Sequence, residues 1–236
     1  MKGFGGIAAN MERDRRRFPG GKPKGKPEGK PGGEKRPAEE RNAMETVRRM
    51  ILGFDPGCEQ EEADRREMLR LLDTGEDLIH RGGSAHFTAS SWIMDPSGTR
   101  MLAVWHRIYR SWSWTGGHLD GCADPMETAV REVKEETGIL TAYPFEPKPF
   151  SLEILTVDGH EKRGVYVPSH LHLNLTFLLK AFPGERIRPK ADENRDVKWF
   201  APEEFLSACA EPWMTERIYR KLTERFEAIR RRGAWK

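Results

Sequence analysis

Cysteine is scarce in this chain. Three are present in 236 residues, Cys58, Cys122 and Cys209, far apart, odd in number and in no metal-binding spacing. That excludes a disulfide framework and a zinc finger, and fits reduced thiols in a cytoplasm. Long apolar runs are absent as well. Mean hydropathy is −0.73, and no stretch approaches the roughly 18 apolar residues that a membrane-spanning helix needs. The first ten residues, MKGFGGIAAN, have no continuous apolar core and charges follow at once, unlike a secretory signal. The chain is expected in the cytoplasm, with no membrane partner.

Apolar patterning is missing from the front. Residues 1–40 hold eleven Lys/Arg against six Asp/Glu, a net +5, while the whole chain is +3. The remainder is therefore slightly acidic, and the basic character belongs to the tail. The run GGKPKGKPEGKPGG at 20–33 cannot bury enough surface to order itself. Basic Gly/Lys runs can hold phosphate backbones. No aromatic interleaves these lysines, so a stacking platform is lacking and nucleic acid is not the expected partner. Residues 1–43 read as a disordered tail, 44–82 as a helical arm and 83–236 as the main domain, with Met44 a candidate start.

Helices are expected over residues 44–54 and 59–80, the second interrupted by Gly75. Strands are expected at 86–94 and 101–106 around the turn Asp95-Pro96-Ser97-Gly98, and then at 108–114 before a Gly-rich loop at 115–117. Further strands follow at 150–158, 170–179 and 197–200. A helix begins at Ala201-Pro202, and another lies within 211–232. Irregular alternation of this kind predicts an α/β fold with a mixed sheet between helices.

What is abundant is carboxylate on one helix. Asp124-Pro125-Met126-Glu127 reads as a capping box, with Asp124 as N-cap and Pro125 at N1. Gly138 can take the left-handed position after the last turn. Met126, Ala129, Val130 and Val133 form the apolar stripe. Glu132, Glu135 and Glu136 fall at i, i+3, i+4 on one face, where like charges repel. A hard divalent cation converts that repulsion into a binding site.

In order, these residues carry the pattern G-x5-E-x7-R-E-U-x-E-E-x-G-U, where U is aliphatic, and so resemble the Nudix hydrolases. Eight of nine defined positions are present: Gly117, Arg131, Glu132, Val133, Glu135, Glu136, Gly138 and Ile139. Chance gives such a match on the order of 10⁻⁸ per window. Ala123 stands where the family has glutamate, leaving Asp120 or Asp124 to brace Arg131. The resemblance covers residues 84–206 well and implies the Nudix α/β/α sandwich. It implies Mg²⁺, with Mn²⁺ as a substitute, held by Glu132, Glu135 and Glu136, and hydrolysis of a nucleoside diphosphate linked to another moiety. Glu132 is also a candidate base, Arg131 orients the carboxylates, and Glu193 is a candidate fourth carboxylate. Gly117 and His118 are placed against substrate phosphate. A homodimer is compatible with the resemblance. Two other activities fit the same fold: a non-catalytic nucleotide-binding module, which usually lacks box glutamates, and prenyl-diphosphate isomerase chemistry, whose cysteine pattern Cys122 does not follow.

His170 and His172 alternate with apolar residues and share one sheet face. Such a pair can bind zinc. The ordinary reading is two satisfied side chains on a half-exposed face. Trp112 and Trp114 read as core.

Overall fold

The structure, a computed structural model, describes residues 38–162 and 164–235. The basic tail lies, up to residue 37, outside the described residues. Residues 38–43 are helical: α1 spans Ala38–Leu52 and α2 spans Glu59–Leu72. Helix α1 thus starts six residues before the expected boundary, because Glu and Arg are good helix formers even without an apolar stripe, and Ala43 already packs in the core at 0% exposure. Helix α2 stops at Leu72, well short of 80, where Asp73 caps it and Gly75 turns at φ 77°.

The strands are β1 (Ala85–Met94), β2 (Met101–His106), β3 (Ser111–Ser113), β4 (Thr115–His118), β5 (Tyr143–Pro144), β6 (Ser151–Val157), β7 (His160–Lys162), β8 (Val165–Val167), β9 (His170–Lys180) and β10 (Asn194–Phe200). The remaining helices are α3 (Pro125–Thr137), α4 (Pro202–Ala208) and α5 (Arg220–Arg231), the last continuous with a π-helical turn at Met214–Tyr219. The main sheet runs β10-β2-β1-β9-β5, with β3 on β2, β4 on β1 and β6 on β9. Strands β1 and β9 are parallel and the other pairs antiparallel, so the sheet is mixed. Strands β7 and β8 form a separate hairpin.

Central strand β1 is buried along its whole length, so both of its faces are covered. Phe87, Ala89 and Ile93 join Leu173, Leu175 and Phe177 of β9 in a core with Val47 and Ile51 of α1, Met68 of α2, and Ala129 and Val133 of α3. The alternate residues Trp92 and Met94 pack with Phe205 of α4 and with Leu222 and Phe226 of α5. The result is a sheet between two helical layers, with the two N-terminal helices added to the α3 side. No helix among the described residues is long and apolar enough to cross a membrane.

Residues 115–117, read from sequence as a loop, belong to strand β4. The chain leaves β2 at Ser113 and joins β1 at Thr115. The two glycines permit this close approach: a Cβ on Gly116 would meet Ala89 O at 2.8 Å and Ser90 Cα at 3.0 Å.

On the same face as Trp92, β1 and β9 carry a buried polar stripe. The Asn174 carboxamide oxygen accepts from the Thr88 and Ser90 hydroxyls, and its amide donates to Glu153 Oε2 at 3.1 Å and to Thr176 Oγ1 at 3.0 Å. Helix α5 closes over it with two cations. Lys221 Nζ reaches Glu153 Oε1 at 3.1 Å and Glu61 Oε1 at 3.2 Å, and Arg225 binds both oxygens of Glu61. Burial pushes the Glu61 carboxyl up, but Lys221, the Gly57 N–H, Ser151 and Arg225 outweigh it and hold the group below its usual range.

Candidate active site

Helix α3 is positioned at both ends. Asp124 Oδ1 accepts from the Met126 N–H at 2.9 Å, Pro125 occupies the first turn, and Gly138 closes the helix at φ 76° with its N–H on the Lys134 carbonyl. Glu127 makes no return bond to Asp124 among the described residues, so the cap is one-sided. The buried face of α3 carries Thr128, Ala129 and Val133. That rotation sets Glu132, Glu135 and Glu136 toward the end of β4 and the loop before β10.

The three carboxylates differ in exposure. Glu136 is 4% exposed. Its Oε1 accepts from the Gly116 N–H at 2.9 Å and its Oε2 from Asn194 Nδ2 at 2.7 Å. Burial first, and then the charges of Glu132 and Glu193, push its pKa up to about 8 despite those two bonds. Glu132 is half-buried, and burial with the nearby Glu135 charge raises it as well, against the pull of Arg131. Glu135 faces solvent. Gly117 sits directly under Glu132: a Cβ there would meet the Glu132 carboxyl carbon at 2.5 Å. The structure therefore gives Gly117 a definite task, which is to leave room for that carboxylate.

Arg131 lies along the carboxylates. Its guanidinium donates to Glu132 Oε1 at 3.1 Å and to the His118 carbonyl at 3.3 Å, and stands 3.7 Å from Glu135 Oε1. The bracing expected from Asp120 or Asp124 takes a different form. Asp120 forms a two-pronged pair with Arg81, Nε to Oδ1 at 2.9 Å, and Asp124 is committed to the helix cap.

Glu193 arrives from the loop before β10. Lys190 Nζ lies 3.0 Å from Glu193 Oε2 and 3.2 Å from Glu135 Oε2, joining the two carboxylates. Partial burial works against the Lys190 ammonium, but bonds to Glu193 and Glu135 raise its pKa above the usual lysine range. Two residues of this site escape sequence reasoning. Asn194 has no spacing signal. Lys190 does: it is three residues before Glu193, a pairing distance within a turn.

The side chain of His118 points away from the carboxylates. Its neighbours are His86 and His172, with ring centroids at 4.8 and 4.9 Å.

A family model described as NUDIX domain matches residues 85–226. The chain belongs to the NUDIX family. This Nudix protein, with all three helix carboxylates in place, is a hydrolase. Similar solved structures include a hydrolase of the NUDIX family from Clostridium perfringens, at 22% identity over 61% of this chain and 97% of that one, TM-score 0.44. Another is the Ap4A hydrolase of C. elegans, at 20% identity over 61% and 97%, TM-score 0.40. A third is the dihydroneopterin triphosphate pyrophosphohydrolase of E. coli, at 17% over 58% and 94%, TM-score 0.44. No curated protein sequence matches the chain.

Nudix hydrolases use divalent metal ions, and the donor set on α3 fits one. Three hard oxygen donors share a face, two of them raised in pKa by crowding and burial. A divalent cation relieves that crowding and accepts oxygen ligands of this type. Glu136 is the least open of the three, since each of its oxygens already accepts one hydrogen bond.

Proposed function

We propose that this Nudix hydrolase cleaves a diphosphate bond in a nucleoside diphosphate-linked small molecule, with Mg²⁺ held by Glu132, Glu135 and Glu136. The observation that carries the reading is the arrival of Glu193 beside the α3 carboxylates, one lysine away from Glu135. Bound Mg²⁺ supplies charge neutralisation on the phosphates and lowers the pKa of a coordinated water.

The protein's own groups do the rest. Gly117 makes room for Glu132 against β4, and the Gly116 N–H draws Glu136 in beside it. The Gly116 N–H and Asn194 fix Glu136 in one rotamer. Arg131 aims Glu132 and Glu135 and takes no further part. Glu193 is the one carboxylate of the cluster that α3 does not carry; paired with Lys190 outside the metal-holding set, it accepts the proton of an attacking water while the others hold charge. The presence of all three box glutamates favours hydrolysis over a non-catalytic nucleotide-binding module. Cys122 donates to the Asp124 carbonyl at 3.4 Å inside the cap turn, which favours hydrolysis over isomerase chemistry.

The test is phosphate release by the full chain with Mg²⁺ on a panel of nucleoside diphosphate-linked compounds. Glu193→Gln is expected to lower kcat about 10²-fold or more with KM little changed. Glu135→Gln is expected to lose most activity and to need far more Mg²⁺ for what remains. A Glu193→Gln protein within a few-fold of wild type would remove Glu193 from the base role. A silent panel with wild type would remove the diphosphate reading.

A further inference from the structure

Four imidazoles from three strands meet at one end of the sheet, on the face opposite α3. His86 of β1 is paired in register with His172 of β9, and Thr88 with His118 of β4. Residues opposite each other share a face, as do residues two apart, so His86, His118, His170 and His172 all project to one side. The ring centroids of His86 lie 5.0 Å from both His170 and His172.

The bonding of these rings is incomplete. His86 is 3% exposed, and neither of its ring nitrogens has a hydrogen-bond partner among the described residues. Buried polar nitrogens are normally satisfied, so this pair calls for a ligand. His170 Nδ1 lies 2.9 Å from the Pro168 carbonyl. A carbonyl can only accept, so Nδ1 carries the proton and the neutral ring keeps its lone pair on Nε2. That Nε2 lies 3.3 Å from His172 Nε2. Donor atoms of His86, His170 and His172 all fall within 4.8 Å of one another.

These distances suit a metal. Two nitrogens each about 2.05 Å from one tetrahedral ion stand about 3.3 Å apart. A backbone carbonyl on the outer ring nitrogen is the usual support of a metal-bound histidine. A simple hydrogen bond between His170 and His172 accounts for their contact, but it leaves both nitrogens of His86 unexplained.

We propose that His86, His170 and His172 bind a divalent transition metal of the zinc class, at a site separate from the carboxylates of α3. Imidazole selects zinc, cobalt, nickel and copper over magnesium, whereas carboxylates suit magnesium. The two sites therefore take different ions. Three protein nitrogens leave one position of a tetrahedron for water or for His118, whose ring lies alongside. The bound ion cross-links β1 to β9 and fixes the start of β9.

The experiment uses the untagged full chain, stripped with chelator and dialysed. Co²⁺ is titrated in while the visible d–d absorption is recorded, and Zn²⁺ is then added to displace it. One equivalent of Co²⁺ is expected to saturate an absorption of tetrahedral intensity. Zn²⁺ should abolish it and raise the melting temperature, and excess Mg²⁺ should leave it unchanged. His170→Ala and His172→Gln should each weaken binding by roughly tenfold or more, with metal-free melting close to wild type to show that they fold. Glu135→Gln should keep the cobalt spectrum. Saturation that fails at one equivalent, displacement by Mg²⁺, or binding unchanged in both histidine variants would overturn the proposal. The last result would move the metal elsewhere, such as the Glu40, Asp77 and His80 cluster.

Discussion

Glu136→Gln should make the metal-free protein more stable while removing its activity. In the folded chain the Glu136 carboxyl titrates at about 8, against a starting value of 4.5. A carboxyl raised on folding contributes fully below pH 4.5, and that contribution is lost as pH rises through 8. Each pKa unit corresponds to 1.36 kcal/mol, so the ionised group destabilises the fold by roughly 3–5 kcal/mol above pH 8. Glutamine has the same shape and no charge. Its carbonyl keeps the Gly116 N–H. Its amide faces Asn194, whose Oδ1 has no partner among the described residues, so the Asn194 amide can turn over to accept it. Allowing for the bond lost in that exchange, the expected gain is about 2–3 kcal/mol, or roughly 4–12 °C in Tm for a domain of this size. The assay is thermal melting in chelator at pH 5 and pH 8. Wild type should lose stability relative to the variant between the two, with the curves nearly meeting at pH 5. Added Mg²⁺ should raise Tm for wild type more than for the variant. A variant that melts below wild type at pH 8 in chelator would refute the reasoning, because Glu136 would then be stabilised where it sits.

Three other perturbations have definite outcomes. Lys221→Met removes the only cation on fully buried Glu153 among the described residues, and should destabilise by about 3 kcal/mol. Adding Glu153→Gln should restore most of the melting temperature, and failure of that rescue would show that the lysine acts through Glu61 or by packing. A chain beginning at residue 38 should melt like the full protein, whereas one beginning at 44 loses the first turns of α1 and buried Ala43 and should fall by about 1–2 kcal/mol; equal melting of both would contradict the packing of that turn. Ala123→Glu should raise kcat/KM by no more than a few-fold, because Arg131 is already held by Glu132, Glu135 and the His118 carbonyl. A tenfold gain, about 1.4 kcal/mol, would mean that the native loop is under-braced.

The parts of this protein that were legible in sequence are those whose signals are local. Asp124, Pro125 and Gly138 delimit the 13 residues of α3, and the three glutamates declare their shared face by spacing alone. Long strands β1 and β9 also read directly. Glu193 could be named only through the family resemblance, since a polar loop before a strand has no chemical mark of its own. The end of α2 and the strand β4 were misread for a common reason: a glycine signals freedom, not its use. Gly75 ended a helix that periodicity would have continued, while Gly116 and Gly117 serve in a strand. The histidine cluster was legible only in part: His170 and His172 show their shared face by spacing, but nothing in the sequence joins His86 and His118 to them. His86, His118 and the His170–His172 pair are separated by 32 and 52 positions, and only the pairing of β1 with β4 and β9 brings them to one face.

That pairing also keeps the two sets of donors apart. Gly117 and His118 are consecutive in β4, so they look to opposite sides of the sheet. Gly117 faces α3 and makes room for Glu132, whereas His118 joins the imidazoles. A slip of one residue between β4 and β1 would exchange these faces. The imidazole would then collide with the Glu132 carboxylate, and the histidine cluster would receive a glycine. Several contacts oppose such a slip. The Gly116 N–H is fixed on Glu136, Gly116 is too close to Ala89 and Ser90 for any side chain to replace it, and the Arg131 guanidinium holds the His118 carbonyl. The glycines of the box are thus register marks as much as flexible points. They place hard oxygen donors on one side of a strand and nitrogen donors on the other, using adjacent residues.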